Sequence, residues 1–600
     1  GGSQSSSTSP SAVKGKGSYS NAIVDDLLAY RASFFVDKQD GDFKNVGPEG
    51  GTFQEKNRYG GRLQFLLKPT DSFTAKLNLD AAQSRELSNT KPFIEDPLTY
   101  ANGHLRTDKY NAATNTWTAN GDSTYTTRLA RSYFNNYTPI IGSWDKIDIG
   151  QAKPLLTNNR GASLNLNWDV GPVSLTSISA YRRLNFDANN DSEQTRFDIN
   201  RGGTLVNHEQ YSQEFRIASN DAKVLEYQGG LFFMHNETQS TSRTLYGQDA
   251  GAFYATNAQY ATLAANQAAL KASLNNVSVT SLTTPETDST ALFGQVNWHL
   301  DDKATLTVGV RDTYEEKSST YNKLATNYLD GSALTTTGNA TADAIRTAQT
   351  KNLTGTKNGQ DINENSIAWL INPTYKLNKD VMLYASAASG QKSGSVQFDS
   401  SGNPLNVDPE KSLDFELGIK SSWLNRKLFL NANLYRTDIS DYQTTATVVS
   451  TTSPTGFATQ LVNIGGVLLR GLEIDGGWSP TNRWNFNFGA AFNDAVYSDY
   501  KNGTCAVETQ QNGFCDYTGR ALANAPKVIV NLGVDYKQPV SDHLLGHAFF
   551  NNVYRSRTNL ATTFSDYTWQ DSYNVSNGGV GVVTRDEKYE FNLVAKNLFD

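Results

Sequence analysis

The residue types that usually carry catalysis or bind metals are sparse in this sequence. Its six histidines are scattered from His104 to His547, and none lies in an HExxH pattern. No GxSxG turn and no phosphate-binding glycine loop occurs. Because a catalytic set needs acid–base groups, nucleophiles or metal ligands at defined spacing, the sequence predicts no enzyme, no metal site and no cofactor.

The two cysteines lie close together. Cys505 and Cys515 belong to the polar stretch NGTCAVETQQNGFC. Two cysteines in one short loop indicate a local disulfide in an oxidising compartment, such as the periplasm or the cell surface. A metal site would need further histidines or cysteines nearby, and none follows. Free thiols remain the alternative.

Two pairs of carboxylates stand at a spacing of two residues, Asp414 with Glu416 and Glu473 with Asp475. On a β-strand this spacing places both members of a pair on one face. Such a face could meet a passing ligand or another domain. We favour the simpler interpretation of a solvated face balanced by cations, namely Arg62, Lys76, Arg311 and Lys420.

The segment 100–144 is rich in aromatic residues set among Asn, Arg and Thr. Aromatic rings with interspersed polar groups suit the capture of a planar catecholate, a haem-like ring or a sugar face. Equally, these side chains could pack against one another. The residues that we select as candidates for ligand capture are Tyr110, Trp117, Tyr133 and Trp144.

The stretch Lys411–Gln443 indicates which elements position these residues. In its first arm Leu413, Phe415, Leu417 and Ile419 alternate with polar residues, and its second arm repeats the pattern. A period of two predicts β-strands. Both arms reach the roughly 9–11 residues that a strand needs to cross a bilayer. We interpret the hairpin as part of a barrel with its apolar face toward lipid and its polar face toward a water-filled lumen.

Composition agrees with this interpretation. The chain has 600 residues, 38% of them hydrophobic, with a mean hydropathy of -0.52 and no apolar run near the ~20 residues of a transmembrane helix. The formal net charge of -7 argues against a nucleic-acid partner, because phosphate binding needs a basic excess.

About twenty strand-like segments follow along the chain, in ten hairpins with short turns. Long connections follow every second strand, roughly at 82–160, 185–207, 239–288, 317–364, 391–410, 440–460, 498–524 and 556–571. Outer-membrane barrels have short periplasmic turns and long outer loops. Propellers and solenoids would show a repeat, and sandwich strands are shorter. We also expect a periplasmic aromatic girdle and a helix at Asn257–Leu274. The predicted girdle consists of Trp168, Trp298, Trp478, Trp484 and Tyr536.

Several motifs, in order along most of the chain, resemble the TonB-dependent outer-membrane receptors, particularly those of iron–siderophore uptake. These motifs are YSQEFRIAS, ALFGQVNWHLDDKATLTVGVRDTYEEK, GQKSG followed by LDFELGIKSSWLNRKLFLNANLYRTDISDYQ, GVLLRGLEIDGGWSPT, LANAPKVIVNLGVDY and VAKNLFD. The resemblance implies a 22-stranded barrel in the outer membrane of a Gram-negative bacterium. Residues 1–600 would form one barrel domain with the second to twenty-first strands. We expect the N-terminal plug and the outermost strands to be missing, and an arc or nearly closed barrel whose ends are not fully paired.

The resemblance also implies a function. The outer loops would bind a scarce nutrient, and TonB with its inner-membrane complex would energise uptake through the plug. The expected substrate is a ferric siderophore, with cobalamin, haem or an oligosaccharide as further alternatives. The partners would be outer-membrane lipid, TonB and the small-molecule ligand. A passive diffusion channel is the main alternative of a different class.

Overall fold

The computed structural model describes residues 11–599 except 89, 91, 94–98, 100–102, 106, 112–113, 115, 120–123, 151–152, 221, 352, 400, 450–456, 507, 509–513 and 587. At 109–111, 449 and 457–458 it describes the backbone alone. Strands dominate, as predicted.

The strands of the N-terminal half of the described chain are β1 (Ala12–Val24), β2 (Leu28–Gln39), β3 (Phe43–Asn45), β4 (Thr52–Phe53), β5 (Lys56–Thr70), β6 (Phe73–Glu86), β7 (Lys109–Asn111), β8 (Thr116–Thr118), β9 (Lys146–Ile147), β10 (Leu155–Asp169), β11 (Val173–Asp187), β12 (Asn190–Asp191), β13 (Asn200–Ser219), β14 (Leu225–Tyr246), β15 (Val277–Thr283) and β16 (Glu286–His299). Those of the C-terminal half are β17 (Ala304–Ser318), β18 (Thr320–Asn327), β19 (Gly355–Asn358), β20 (Ile362–Asn378), β21 (Val381–Lys392), β22 (Ser395–Phe398), β23 (Pro404–Val407), β24 (Glu410–Trp423), β25 (Leu428–Val449), β26 (Phe457–Thr481), β27 (Trp484–Asp499), β28 (Val528–Pro539), β29 (Leu544–Arg555), β30 (Thr558–Asn559), β31 (Trp569–Gln570), β32 (Tyr573–Thr584) and β33 (Glu590–Ala595). The α-helices are α1 (Tyr125–Leu129), α2 (Ala250–Tyr254), α3 (Asn257–Leu263), α4 (Gln267–Leu274) and α5 (Ala340–Gln349).

Twenty long strands of the described chain form one antiparallel wall in which each strand pairs with the next one along the sequence. The wall strands are β1, β2, β5, β6, β10, β11, β13, β14, β16, β17, β20, β21, β24, β25, β26, β27, β28, β29, β32 and β33. Within the described residues, β1 pairs with β2 alone and β33 with β32 alone. The predicted wall of about twenty strands is therefore confirmed, and four shorter strands, β12, β15, β18 and β19, extend the same sheet.

Short turns and long connections alternate along the wall. Turns such as 424–427, between β24 and β25, join the strands at one end, and long connections such as 87–154, between β6 and β10, join them at the other. This alternation confirms the predicted parity. The connection 40–55, between β2 and β5, also belongs to the long set, although the sequence analysis did not single it out.

The apolar faces of the wall strands point outward. Leu417 on β24 and Leu434 on β25 are paired in register, and they are 60% and 56% exposed. Near the short turns lie exposed tryptophans, including Trp168, Trp298 and Trp484, and the Trp484 ring contacts Tyr536 at 4.4 Å between centroids. This placement agrees with the predicted girdle.

Two local predictions were wrong in their limits. A loop was expected at 440–460, but β25 continues to Val449 and β26 begins at Phe457, because the hairpin stays hydrogen-bonded beyond the apolar part of its strands. The helix expected at Asn257–Leu274 is present as α3 and α4, separated by residues 264–266. Among the described residues, no helix is both long enough and apolar enough to span a membrane.

Candidate functional site

Four of the long connections fold together into one apolar core beyond the ends of the wall strands. We call this cluster the loop core. Its fully buried members come from the connections 87–154, 188–199, 247–285 and 319–361; they include Leu129, Phe134, Ile199, Leu270, Leu274 and Ile345. Residues distant in sequence thus build one folded unit at the end of the wall that carries the long connections.

A buried arginine joins two of these connections. Arg131 donates hydrogen bonds to the carbonyl oxygens of Ala252 and Ala255, at 2.6 and 2.9 Å, and to Oδ1 of Asn257 at 3.1 Å. Its guanidinium carbon lies 4.7 Å from the ring centroid of Tyr260. The last carbonyl oxygens of a helix have no hydrogen-bond donors within the helix. Arg131 provides these donors at the end of α2.

A second arginine does the same for α4. Arg346 on α5 donates from Nε to the carbonyl oxygen of Ser273 at 2.7 Å and contacts the carbonyl oxygen of Ala272. Another of its bonds reaches the carbonyl oxygen of Thr335. The connection 319–361 is thereby fixed to the helices of 247–285.

Carboxyl groups are buried in the same region. The Tyr133 hydroxyl donates to Asp249 at 3.0 Å, and burial raises the pKa of both groups. Glu193 lies near Asp191, and burial, followed by the charge of that aspartate, raises the pKa of Glu193. The Glu193 carboxylate accepts the backbone N–H of Asn200 at 3.1 Å. The carboxyl groups of Asp249 and Glu193 therefore hold their protons more tightly than carboxyl groups in water do.

The four aromatic residues selected from the sequence have different environments. Tyr133 is half-buried, and its ring packs edge-on against Phe134 at 5.0 Å. Trp117, on β8, stacks on His104 at 4.5 Å. Trp144 is 74% exposed. Tyr110 belongs to β7, which pairs with β8, and its side chain lies outside the described residues.

A second cluster, which the sequence analysis did not predict, surrounds the cysteines. Cys505 and Cys515 form a disulfide with a Cα–Cα distance of 5.2 Å. Buried tyrosines, Tyr500 and Tyr517, pack beside it together with Phe564. The Tyr517 hydroxyl lies 2.8 Å from the carbonyl oxygens of Thr504 and Thr563, so it joins two outer connections. Only the tyrosines near the cysteines could have indicated this packing.

The carboxylates predicted on one strand face do point into the lumen, where neutral donors meet them. Hydrogen bonds run from Asn431 to Asp475 at 3.0 Å, from Asn433 to Glu473 at 3.4 Å, and from Thr437 to Asp414 at 2.6 Å. Tyr384 donates to Glu416.

The proposed balancing cations are distributed differently. Lys420 lies 5.6 Å from the ring centroid of Tyr384, beside these carboxylates. Arg311 lies instead near the rings of Phe232 and Phe293, on other wall strands. This part of the lumen wall is therefore polar and acidic.

One set of side chains has atoms arranged as metal ligands could be. His235, Glu286 and Asp288 place one nitrogen and two carboxylate oxygens within 4.8 Å of one another. Nδ1 of His235 lies 2.8 Å from Oδ1 of Asp288. Sequence spacing could not reveal this set, because strand pairing brings residues 235 and 288 together. A hydrogen-bonded histidine explains the contact equally well.

Comparison with known proteins gives a consistent result. The model of the family "TonB dependent receptor-like, beta-barrel" matches residues 99–598. A probable TonB-dependent siderophore receptor, PiuA of Acinetobacter baumannii, is 27% identical over 173 residues, which are 28% of this chain and 22% of that protein. The match thus spans about a fifth of the length of this relative.

Solved structures share the fold. The ferric yersiniabactin uptake receptor FyuA of Yersinia pestis has a TM-score of 0.67 at 14% identity, covering 98% of this chain and 74% of that one. The siderophore receptor PiuA of Acinetobacter baumannii has a TM-score of 0.62 at 15% identity, covering 98% and 76%. The ferric-catecholate import receptor Fiu of E. coli K12, in its closed form, has a TM-score of 0.59 at 14% identity, with the same coverage.

These structures share the overall fold over 98% of this chain, and the family model spans the wall from its fifth strand onward. An outward apolar face, a polar lumen and long connections at one end are the features of outer-membrane barrels. The chain belongs to the TonB-dependent receptor-like β-barrel family, whose members reside in the outer membrane of Gram-negative bacteria.

Proposed function

We propose that this barrel takes up a ferric siderophore across the outer membrane, energised through TonB. The observation that carries the proposal is the family match over residues 99–598, together with relatives named as siderophore receptors. The outer connections would capture the ligand and the hydrated lumen would conduct it. Catalysis has no part in this function.

The structure supports uptake in two respects. The loop core gives the outer mouth a defined shape, which selective capture of one ligand requires. The lumen face of β24 and β26 carries Asp414, Glu416, Glu473 and Asp475, all bonded to neutral donors. Such a wall keeps water in the passage rather than closing it with apolar packing.

Uptake in cells tests the proposal. A strain that lacks the gene should fail to grow when a cognate ferric siderophore is the sole iron source, and the full-length gene should restore growth. Deleting tonB in the complemented strain should abolish growth again. Normal growth of the gene deletion on every ferric siderophore tested would contradict the proposal.

A passive diffusion channel is the second candidate, because a polar lumen would serve it equally well. The two differ in their energy requirement. Uptake of labelled ligand that continues without TonB, and rises in proportion to concentration, would identify the channel. Saturable uptake that stops without TonB supports the receptor.

The aromatic residues of the outer connections are the proposed capture residues: Tyr110, Trp117, Tyr133 and Trp144. Trp144→Ala and Trp117→Ala should each raise the Kd for the ferric ligand by about 2- to 10-fold, the value of one aromatic contact. Tyr133→Phe should change it less, since that ring is committed to the loop core. Trp168→Phe, in the girdle at the other end, is the control.

The ligand class can be determined with the same protein. Binding of a ferric catecholate, a ferric hydroxamate, cobalamin, haemin and a maltooligosaccharide would be compared by quenching of tryptophan fluorescence. Saturable binding of one ferric siderophore, with Trp144→Ala weakening it, supports the proposal. Preferential binding of cobalamin, haemin or sugar would assign another substrate class.

A further inference from the structure

The lumen face of β2, β5 and β6 carries cationic side chains. Phe34 on β2 and Leu79 on β6 are 63% and 39% exposed on the outward face. Because side chains alternate along a strand, Arg31 on β2 and Lys76 on β6 point into the lumen. Arg62 on β5 lies on the same face, since β5 pairs in register with both strands. All three cationic side chains are exposed.

Arg31 and Arg62 are neighbours across the pair of β2 and β5. Arg31 lies opposite Gln64 and Arg62 lies opposite Ser33. The two arginines are therefore diagonal neighbours, whose Cα atoms are typically about 7–8 Å apart. Both line one pocket of 440 Å³, together with Ser33, Gln64 and Asp80. Two long cationic side chains thus border the same small volume of the lumen.

The nearest carboxylate is committed to another arginine. Asp80 lies opposite Arg62 in register, but its two oxygens accept hydrogen bonds from Nη1 and Nη2 of Arg182 at 2.6 and 3.2 Å. Within the described part of the chain, Arg62 and Lys76 have no hydrogen-bond or ion-pair partner. Arg31 makes one hydrogen bond there, to a hydroxyl on β1 at 3.3 Å. Most of the donors on these side chains are therefore available to a ligand.

The opposite stretch of the wall has the opposite charge. β5 is the third and β25 the fourteenth of the twenty wall strands, and the lumen face of β24 and β26 carries Glu416, Glu473 and Asp475. The lumen thus has a basic side and an acidic side. Neighbouring cations on a sheet repel each other, and an anion held between them would remove this cost.

We infer that Arg31 and Arg62 bind a carboxylate of the transported ligand inside the lumen, with Lys76 adding positive charge nearby. Guanidinium groups bind carboxylates through paired N–H donors, and two adjacent guanidiniums can hold one carboxylate together. The inference rests on the proposed function, and it specifies the ligand as an anionic complex with a free carboxylate.

The site is separate from the proposed capture residues. β2 begins at Leu28 and β6 begins at Phe73, both beside short turns, and Arg31 and Lys76 follow soon after these starts. The arginines therefore lie in the half of the lumen nearer the periplasm, whereas the outer connections lie at the other end of the wall. A ligand would reach this site after leaving the outer connections.

The test uses the full-length protein, purified in detergent, with a fluorophore attached to Ser163→Cys. Ser163 lies on the lumen face of β10, where its hydroxyl accepts a hydrogen bond from Asn78 at 3.0 Å. Ferric citrate, an anionic carboxylate complex, is the probe, and a neutral ferric trihydroxamate is the uncharged comparison. Ferric citrate should quench the fluorophore saturably and at lower concentration than the neutral complex does. Absence of saturable quenching would overturn the inference.

Two double variants with the same loss of charge separate this site from a general effect. R31Q/R62Q should raise the half-saturating concentration of ferric citrate by about 10-fold, because charge-assisted hydrogen bonds are lost, and leave that of the neutral complex unchanged. R160Q/R183Q is the matched control, since Arg160 and Arg183 are paired in register on the outward face of β10 and β11. This control should bind ferric citrate as the wild type does.

Asp80→Asn covers the case in which R31Q/R62Q does not fold. It frees Arg182 from its carboxylate partner and should tighten the binding of ferric citrate several-fold. Unchanged binding by either variant would overturn the inference. Equal weakening of both probes by R31Q/R62Q would also overturn it, because the arginines would then pair with a protein carboxylate in the lumen.

These measurements need neither TonB nor growth on iron, so a failure here differs from a failure of the proposed function. Loss of quenching alongside TonB-dependent uptake of a siderophore would reject only the anion site. Arginine-dependent binding of ferric citrate without TonB-dependent uptake would support the anion site and reject energised transport.

Discussion

At the scale of single residues, Arg131, which is buried, and Arg346, which is partly buried, hold the loop core together. Both satisfy carbonyl oxygens at the ends of short helices from another connection. Helices of five to eight residues, such as α2 and α4, are not stable by themselves. Their order therefore depends on these contacts.

Arg131→Ala should make local unfolding of the loop core easier and leave the pairing of the wall strands unchanged. Its removal leaves buried carbonyl oxygens without donors, at a cost of about 1–3 kcal/mol for each such group. Limited proteolysis should then cut within 247–275 much faster, while the mobility of the folded barrel on unheated gels stays the same. Lys271→Ala, an exposed change on α4, is the control. Equal cleavage of both variants would contradict this role.

The buried carboxyl group of Glu193 makes the stability of the loop core depend on pH. Because burial and the charge of Asp191 raise the pKa of Glu193 in the folded state, the folded loop core favours the protonated form of Glu193. The stabilisation is fully present below the ordinary carboxyl pKa of about 4.3 and is lost as pH rises through the raised value.

Proteolysis of the connection 188–199 should therefore speed up from acid to neutral pH, after correction for the activity of the protease on an unfolded peptide. Glu193→Gln stays neutral at every pH and should flatten this dependence. A profile for Glu193→Gln that parallels the wild type would assign the effect to another group.

At the scale of elements, the strands of the wall can be predicted from the sequence, whereas the packing of the loop core cannot. Leu413 to Ile419 alternate because lipid lies on one side and water on the other, so the pattern follows directly from the environment. Beyond the belt both faces meet water, and the alternation no longer marks the strand. The extension of β25 to Val449 was missed for this reason.

The loop core could not be predicted because it depends on packing between distant segments. Leu129, Ile199, Leu270 and Ile345 share no period and lie in four different connections. The same applies to Tyr133, a candidate for ligand capture, which is half-buried beside Asp249. Tertiary contacts, rather than local patterns, determine these positions.

The disulfide restrains one element, the connection 500–527. Closing its short loop should stabilise that connection by about 2–3 kcal/mol, mainly by limiting its unfolded conformations. C505S/C515S should increase proteolysis within 500–527, where Tyr500 and Tyr517 are buried, and leave the wall intact. Reduced wild-type protein is the control and should behave as the variant does. Unchanged cleavage in both would show that the tyrosine packing is sufficient.

At the scale of the whole molecule, a membrane barrel reverses the usual arrangement of polar and apolar residues. Exposed hydrophobic side chains of the wall strands, such as Leu417 and Leu434, lie on the outer face, while carboxylates and amides line the lumen. Short turns at one end and long connections at the other orient this arrangement in the membrane.

Adjacent residues on β25 allow this reversal to be tested directly. Leu434 points outward in the apolar belt, two residues before the outward Arg436, and Asn433 points inward, bonded to Glu473. Leu434→Arg should lower the free energy of unfolding by about 1–3 kcal/mol, because the cost of an arginine on the lipid face falls from mid-membrane toward the interface. Asn433→Arg should change it by less than about 1 kcal/mol, because the lumen is hydrated and Glu473 offers a partner. Reversible denaturation in lipid vesicles would measure both. An equal loss for the two variants, or a greater loss for Asn433→Arg, would mean that the two faces of this strand are assigned the wrong way round.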